Sequence, residues 1–116
     1  MAKTPEGKVK DAVKSWLNDR RAYWYMVVPT GYSRAGVPDF IVALPPLGKF
    51  VGIETKAPGK RANTSPNQKR ELAWIKRAGG ISLVVDDVRQ LDEALGEHFN
   101  DRQQEAPQDG AEASTT

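Results

Sequence analysis

Residues 36–57 constrain the fold of this chain more than any other segment. They contain two apolar runs rich in β-branched residues, separated by the turn-forming sequence Pro-Pro-Leu-Gly at 45–48. Runs of this length on either side of such a turn predict two paired strands, a β-hairpin. Charges interrupt the apolar pattern, because Asp39 lies at the start of the first run and Glu54 and Lys56 lie within the second.

The alternation of side chains along a strand predicts where these charges point. Successive side chains face opposite sides of a sheet, so Glu54 and Lys56 share one face. If the two strands pair, Asp39 comes within reach of the same place. Half-buried charges are costly unless they are paired or bind a metal, so the three residues form a candidate site. The alternative is a surface strand with an ordinary Glu–Lys ladder and an aspartate that caps a turn.

The remaining pattern predicts three helices and two more strands. Thr4 and Pro5 predict the start of a helix over 5–19, with the apolar stripe Val9, Val13, Trp16 and Leu17. An almost continuous aromatic and β-branched run predicts a strand at 23–28 that is buried on both faces. Ser65, Pro66 and Gln68 match a capping box and predict a helix that ends near Ala78, before two glycines. A strand at 81–85 and a helix over 88–99 complete the order αβββαβα.

Several polar residues near the hairpin have two interpretations each. Glu6 lies on the inner stripe of the first helix, where it either complements the helix dipole or joins Asp39 and Glu54 as a third acid. Gln68 either caps its helix or also reaches the site. Arg34, together with Tyr32 in the loop at 30–37, either contacts DNA or only decorates the loop. The same choice, a solvated face or a DNA-binding groove, applies to the basic residues Lys60, Arg61, Lys69 and Arg70.

Composition excludes several classes of site. The chain of 116 residues has no cysteine and one histidine, which rules out disulfides, zinc fingers, a thiol nucleophile and a His-rich metal centre. Its net charge is +2, but residues 101–116 carry −3, so the rest carries +5 and suits a polyanionic partner. We expect one domain, over residues 1–99, followed by a polar, disordered tail at 100–116. We find no signal peptide or membrane-spanning run in the sequence and expect a soluble protein of the cytoplasm.

The motif Pro38-Asp39, followed after fourteen residues by Glu54-Thr55-Lys56, resembles the PD-(D/E)xK nuclease signature. More of the chain is similar to one branch of that superfamily, the VRR-NUC (virus-type replication-repair nuclease) family, whose stand-alone members are often phage proteins. The resemblance covers about residues 4–95. The matching segments, in order, are Glu6 in the first helix and residues 36–39, 52–59, 65–68 and 78–80.

The resemblance implies a restriction-endonuclease-like fold, with a central mixed four-stranded sheet flanked by helices. It also implies a metal-dependent DNA endonuclease that acts on branched DNA such as Holliday junctions, with Mg²⁺, or Mn²⁺ in its place, as cofactor. By analogy with the family, Asp39, Glu54 and the Thr55 carbonyl bind the metal. Glu6 binds a second ion or orders the waters of the first. Lys56 orients the attacking water, and Gln68 orients Lys56 or contacts the phosphate.

Two other functions remain open at this point. One is a nucleic-acid-binding module that has the nuclease fold without its chemistry. The other is a nicking or flap-processing nuclease that acts as a monomer. Cutting both strands of a junction needs two active sites, and the simplest arrangement with one site per chain is a homodimer. We therefore expect a homodimer that acts in the cytoplasm, that of the host cell if the protein is encoded by a phage.

Overall fold

The structure is a computed structural model that describes residues 3–105. Its elements follow the predicted order and agree closely with most predicted bounds. Thr4 caps the first helix by accepting a hydrogen bond from the Gly7 amide, and the predicted capping box at Ser65 is present. The elements are α1 Pro5–Asp19, β1 Tyr23–Met26, β2 Phe40–Leu44, β3 Lys49–Thr55, a 3-10 turn Arg61–Asn63, α2 Pro66–Arg77, β4 Ile81–Val85 and α3 Arg89–Glu105.

The four strands form one mixed sheet in the order β1-β2-β3-β4. The predicted hairpin is confirmed, since β2 and β3 are antiparallel with Phe40 opposite Ile53 and Leu44 opposite Lys49. Strand β1 is antiparallel to β2, whereas β4 is parallel to β3. A parallel pair needs a crossover connection, and α2 provides it. The mixed four-stranded sheet with flanking helices is the predicted fold.

The hydrophobic core lies between one face of the sheet and helices α1 and α3. The predicted stripe of α1 is buried, and on α3 Leu91 and Leu95 are fully buried. In β2, alternate residues are buried, as expected for a strand with one face on the core. The buried apolar residues are Val9, Val13, Trp16, Leu17, Phe40, Val42, Leu44, Val51, Ile53, Val85, Leu91 and Leu95.

Helix α2 packs against β3 and β4 on the opposite face of the sheet. Gly52 allows this close approach, because a Cβ at residue 52 would lie 2.7 Å from Ile75 Cδ1. Gly52 shares its face of β3 with Phe50 and Glu54, since these residues are two apart. The face that carries the candidate charges Glu54 and Lys56 is therefore the face covered by α2.

Strand β1 differs from its prediction. It ends at Met26, and its residues Tyr23 and Tyr25 are 77% and 61% exposed, so the prediction of burial on both faces is wrong. Trp24 and Met26 pack against the core, while α2 covers mainly β3 and β4. An aromatic run does not distinguish an edge strand from a central one, because burial depends on which strands the helices cover.

The C-terminal helix also extends beyond its predicted end. Helix α3 continues to Glu105, six residues past Phe99. Residues 100–105 contain no glycine or proline, and the first helix breaker after them is Pro107. The rest of the predicted tail, residues 106–116, lies outside the described residues. Within residues 3–105, no helix combines the length and the apolar character needed to cross a membrane.

Gly36 is expected to be the glycine most sensitive to substitution. It has a φ of +91°, and a Cβ there would lie 2.8 Å from the Gln68 amide nitrogen, in the first turn of α2. Gly36→Ala should lower the free energy of unfolding by about 2 kcal/mol or more, through left-handed strain and steric overlap. Urea denaturation measures this effect.

Two control variants separate strain from overlap. Gly59 has a positive φ of +81° but open space around it, so Gly59→Ala tests strain alone. Gly31 has neither a positive φ nor a neighbour within 4 Å, so Gly31→Ala should leave stability nearly unchanged. If Gly36→Ala cost no more than Gly59→Ala, the close packing of Gly36 on α2 would have no energetic effect.

Candidate active site

The hairpin brings Asp39 to the end of β3. Asp39 immediately precedes Phe40, which is opposite Ile53, so the register places Asp39 beside Glu54 and Thr55. One carboxylate oxygen, Oδ2, accepts hydrogen bonds from the Thr55 amide at 2.8 Å and from the Thr55 hydroxyl at 2.6 Å. A carboxylate held by a backbone amide has a fixed orientation, so the Asp39 carboxylate is part of the rigid sheet rather than of a loop.

Glu54 lies on the α2 side of the sheet and is only 4% exposed. Its Oε2 accepts a hydrogen bond from Gln68 Nε2 at 2.8 Å, and the Lys56 ammonium is 3.8 Å from the same oxygen. Gln68 Oε1 accepts hydrogen bonds from Lys56 Nζ and from the Ser65 amide, both at 2.9 Å. The side chain of Gln68 thus caps α2 and also links Lys56 to Glu54, so its two possible roles are both realised.

Lys10 is a member of this cluster that the sequence analysis missed. Its ammonium donates hydrogen bonds to Glu6 Oε2 at 2.7 Å, to Thr55 Oγ1 at 2.8 Å and to Asp39 Oδ2 at 3.3 Å. Glu6 is therefore connected to Asp39 through Lys10. Within the part of the chain that the structure describes, no three acidic or histidine side chains form a group that could hold a metal. The three acids thus do not form a direct cluster in this arrangement.

A spacing signal for Lys10 was present in the sequence. It lies four residues after Glu6, and side chains at positions i and i+4 lie on the same face of a helix. That spacing predicts an ion pair. It does not predict that the pair faces Asp39, which is 29 positions away in the chain.

The electrostatics of the cluster favour an additional cation. Three carboxylates (Glu6, Asp39, Glu54) and two ammonium groups (Lys10, Lys56) leave a formal charge of −1. Burial, and then the negative charge of Asp39, raise the pKa of Glu54 to about 7, and the two lysines only partly offset this. Burial disfavours the charged form of Lys10, but the hydrogen bond to Glu6 and the charge of Asp39 outweigh it and raise the pKa of Lys10.

Two carboxylate oxygens are available as ligands for a divalent metal ion. Asp39 and Glu54 each use one oxygen, Oδ2 or Oε2, for their hydrogen bonds. Among residues 3–99, whose side chains the structure describes, no hydrogen bond reaches Asp39 Oδ1 or Glu54 Oε1. Two oriented oxygens in a site of net negative charge are suited to a hard cation such as Mg²⁺ or Mn²⁺. With the Thr55 carbonyl, these groups are the ones that would hold it.

Comparison with solved structures agrees with the motif. One structure, described as a VRR_NUC domain, is 31% identical and superimposes with a TM-score of 0.64 over 84% of this chain and 99% of its own. This chain belongs to the VRR-NUC family. A second structure, described as a VRR_NUC domain protein, has a TM-score of 0.65 over 86% of this chain and 92% of its own at 18% identity, and supports the fold alone. No family model and no curated protein matches the chain.

The basic residues predicted to contact DNA lie around α2 of this VRR-NUC domain. Arg34 forms an ion pair with Glu71 at 2.8 Å, and Arg70 lies 3.6 Å from the same carboxylate. Arg61 donates a hydrogen bond to the Val84 carbonyl at 3.1 Å. Lys60 and Lys69 are exposed. Arg34 and Arg70 thus flank Glu71, one helical turn from Gln68, and neither bonds directly to Asp39 or Glu54.

Replacing Lys10 is expected to strengthen metal binding by this VRR-NUC domain. Lys10→Met removes a positive charge that lies 3.3 Å from Asp39 Oδ2. The affinity for Mn²⁺ should increase roughly tenfold, since a repulsive charge beside the candidate metal ligands is lost. Isothermal titration calorimetry on the metal-free protein measures this change. Lys14→Met on the same helix is the control, because Lys14 interacts with Asp11 instead. Weaker Mn²⁺ binding by Lys10→Met would mean that Lys10 maintains the geometry of the ligands.

Proposed function

We propose that this VRR-NUC domain is a divalent-metal-dependent endodeoxyribonuclease that hydrolyses phosphodiester bonds in branched DNA. The observation that supports it best is the pair of carboxylates at the end of the hairpin. Asp39 is held by Thr55 and Glu54 by Gln68, and each has its second oxygen available. The membership of the chain in a family with a nuclease-type fold agrees with this chemistry.

In this mechanism, the residues of the chain would bind the metal, orient water and stabilise charge on the phosphate. Asp39, Glu54 and the Thr55 carbonyl would hold the metal, and Glu6 would order water beside it or assist a second ion. When bound there, a divalent ion would neutralise phosphate charge and make water more acidic. One divalent cation changes the formal charge of the cluster from −1 to +1, so a site that repels DNA phosphate becomes one that attracts it.

In this proposal, Lys56 acts on the attacking water and on the phosphate. Gln68 holds its ammonium at 2.9 Å, beside Glu54. A fixed ammonium can orient a water molecule and stabilise the charge that develops on the phosphate oxygens. The water oxygen forms a new bond to phosphorus as the bond to the leaving oxygen breaks, and the water's proton passes to solvent. The leaving oxygen takes up a proton from a second water.

One experiment separates this function from its two rivals. The protein is incubated with end-labelled Holliday junction, flap, duplex and single-stranded DNA, with Mg²⁺ or with EDTA. The proposal predicts cleavage only with Mg²⁺ and the highest rate on the junction. Binding without cleavage under both conditions would indicate a non-catalytic module. Mg²⁺-dependent cutting of flaps alone, on one strand, would indicate a monomeric nicking enzyme.

Sedimentation velocity tests the proposed homodimer. Cutting both strands of a junction requires two active sites, and two-fold symmetry of the protein would match that of the DNA. Sedimentation velocity of the protein alone should give a dimer. With the junction added, it should give one dimer bound to one junction. A complex with one protomer would contradict paired cleavage and favour nicking.

A further inference from the structure

Helix α2 and strand β3 border a cleft of about 330 Å³ beyond the site described above. Two aromatic side chains line it, and both are unusually exposed for their size, with Trp74 at 50% and Phe50 at 43%. Arg34 and Glu71 lie at the same cleft. An exposed aromatic face beside a guanidinium group is suited to stacking with a planar, electron-rich ligand.

A buried carboxylate holds the arginine in place. Glu71 is 3% exposed and accepts a hydrogen bond from Arg34 Nε at 2.8 Å, and this bond lowers the pKa of Glu71. The side chain of Arg34 is 64% exposed, and its guanidinium carbon lies 5.4 Å from the centre of the Trp74 ring. Within residues 3–99, the two terminal nitrogens of Arg34 donate no hydrogen bond. The guanidinium is therefore oriented by one nitrogen and has its other edge available for a ligand.

The cleft is adjacent to the candidate active site. Gln68, Glu71 and Ile75 follow one another at spacings of three and four residues, so they lie along one face of α2. Gln68 contacts Glu54, whereas Glu71 and Ile75 line the cleft. Trp74 is six residues beyond Gln68, a distance of about 9 Å along the helix. A DNA strand advances about 3.4 Å per nucleotide, so about three nucleotides separate the candidate active site from Trp74.

We propose that this cleft, formed by Arg34, Phe50, Glu71, Trp74 and Ile75, binds one unpaired nucleobase of the cleaved DNA strand, about three nucleotides from the scissile phosphate. The base stacks on Trp74, and the available edge of Arg34 donates to the base or to a neighbouring phosphate. The proposal rests on the proposed function, since it assigns a second contact to the same substrate. Arg70 beside Glu71, and Lys49, whose ammonium binds the Gly79 carbonyl at 2.8 Å, add positive charge that suits a nucleic acid.

Such a site would make the protein selective for DNA with unpaired bases. A base in continuous duplex is stacked and paired, so it must leave the helix before it can reach Trp74. A base at a flap or a splayed branch point is already free of its partner. The cleft would therefore strengthen binding to branched and single-stranded DNA and leave binding to duplex unchanged.

Fluorescence anisotropy in EDTA tests the proposal without any cleavage. The probes are a labelled oligothymidylate, a flap and a duplex. Trp74→Ala should weaken binding to the oligothymidylate and the flap about tenfold and leave duplex binding within about twofold. Trp74→Phe should retain most of the affinity. Tyr25→Ala is the control, because Tyr25 is also an exposed aromatic residue, at 61%, but lies on the edge strand β1. Thermal melting verifies that each variant is folded.

A spectroscopic probe identifies the contact directly. A flap with 2-aminopurine at unpaired positions should lose fluorescence on binding when that base stacks on Trp74, and the loss should disappear with Trp74→Ala. Unchanged affinities for Trp74→Ala, or an equal loss on duplex and single strand, would overturn the proposal. Because no turnover is involved, failure of the nuclease activity would leave these measurements unaffected. Conversely, an active nuclease without base stacking would refute only this inference.

Discussion

Asp39→Asn should reduce DNA cleavage by at least about a hundredfold while the protein still folds and binds DNA. The amide has the same shape as the carboxylate, and its oxygen can still accept the hydrogen bonds from the Thr55 amide and hydroxyl. The substitution removes a negative charge and, in the proposed mechanism, a metal ligand. The formal charge of the cluster without metal changes from −1 to 0, so the variant should bind DNA as tightly as the parent or more tightly.

Cleavage rates with Mg²⁺ and binding in EDTA, measured on the same labelled junction, separate these two effects. Asp11→Asn is a matched control, since Asp11 is on α1 and pairs with Lys3 and Lys14 rather than with the cluster. The control should cleave at the parent rate. Cleavage by Asp39→Asn at the parent rate would be incompatible with a metal site at the end of the hairpin.

Glu54→Gln should make the metal-free protein more stable at pH 8, although it should abolish cleavage. In the folded protein the pKa of Glu54 is raised to about 7 from an ordinary 4.5, with burial as the largest cause. Between these two values the folded state holds a proton that the unfolded state has released, so the stability from this group decreases as the pH rises. Its contribution is fully present below pH 4.5 and is lost as the pH passes through about 7. The shift corresponds to at most about 3 kcal/mol.

Urea denaturation in EDTA at several pH values measures this difference. Glutamine resembles the protonated acid, so Glu54→Gln should equal the parent at pH 4.5 and exceed it by about 1–3 kcal/mol at pH 8. Saturating Mg²⁺ should stabilise the parent at pH 8 much more than the variant, because binding compensates the buried charge. Glu97→Gln, at an exposed position of α3, should leave the pH profile unchanged. Identical profiles for Glu54→Gln and the parent would contradict the account of a buried, destabilising carboxylate.

The two results together would describe a trade-off between stability and function. Glu54 is surrounded by Asp39 and Glu6 as well as by the two lysines, and its environment disfavours the ionised form, which a bound cation would stabilise. A site optimised for stability would replace this carboxylate. Its presence in a buried position is expected where function requires a charge, and perturbed pKa values cluster at such sites.

Local signals in the sequence predicted the elements well. The bounds of α1 follow from Thr4 and Pro5, and the start of α2 follows from the capping box at Ser65. The hairpin follows from two strand-like runs on either side of a turn, and the pairing of its strands places Asp39 beside the end of β3. These features depend on residues that are close in the chain or on one pairing of adjacent strands, so a single sequence contains the necessary information.

The features that were missed depend on contacts between distant segments. Burial of Glu71 cannot be inferred from α2 alone, because its partner Arg34 is 37 residues away on a loop. The exposure of Tyr23 and Tyr25 depends on how far α2 covers the sheet.

The sequence by itself determined the order of the elements, the hairpin and the acidic residues at its end. Only the tertiary structure decided that Lys10 lies between Glu6 and Asp39, that Gln68 joins the helix cap to Glu54, and that Arg34 lies over Trp74 beside a buried Glu71. The physical reason is the distance along the chain over which each interaction acts. Turns, caps and alternation act within a few residues, whereas the environment of a charge depends on every segment that packs around it.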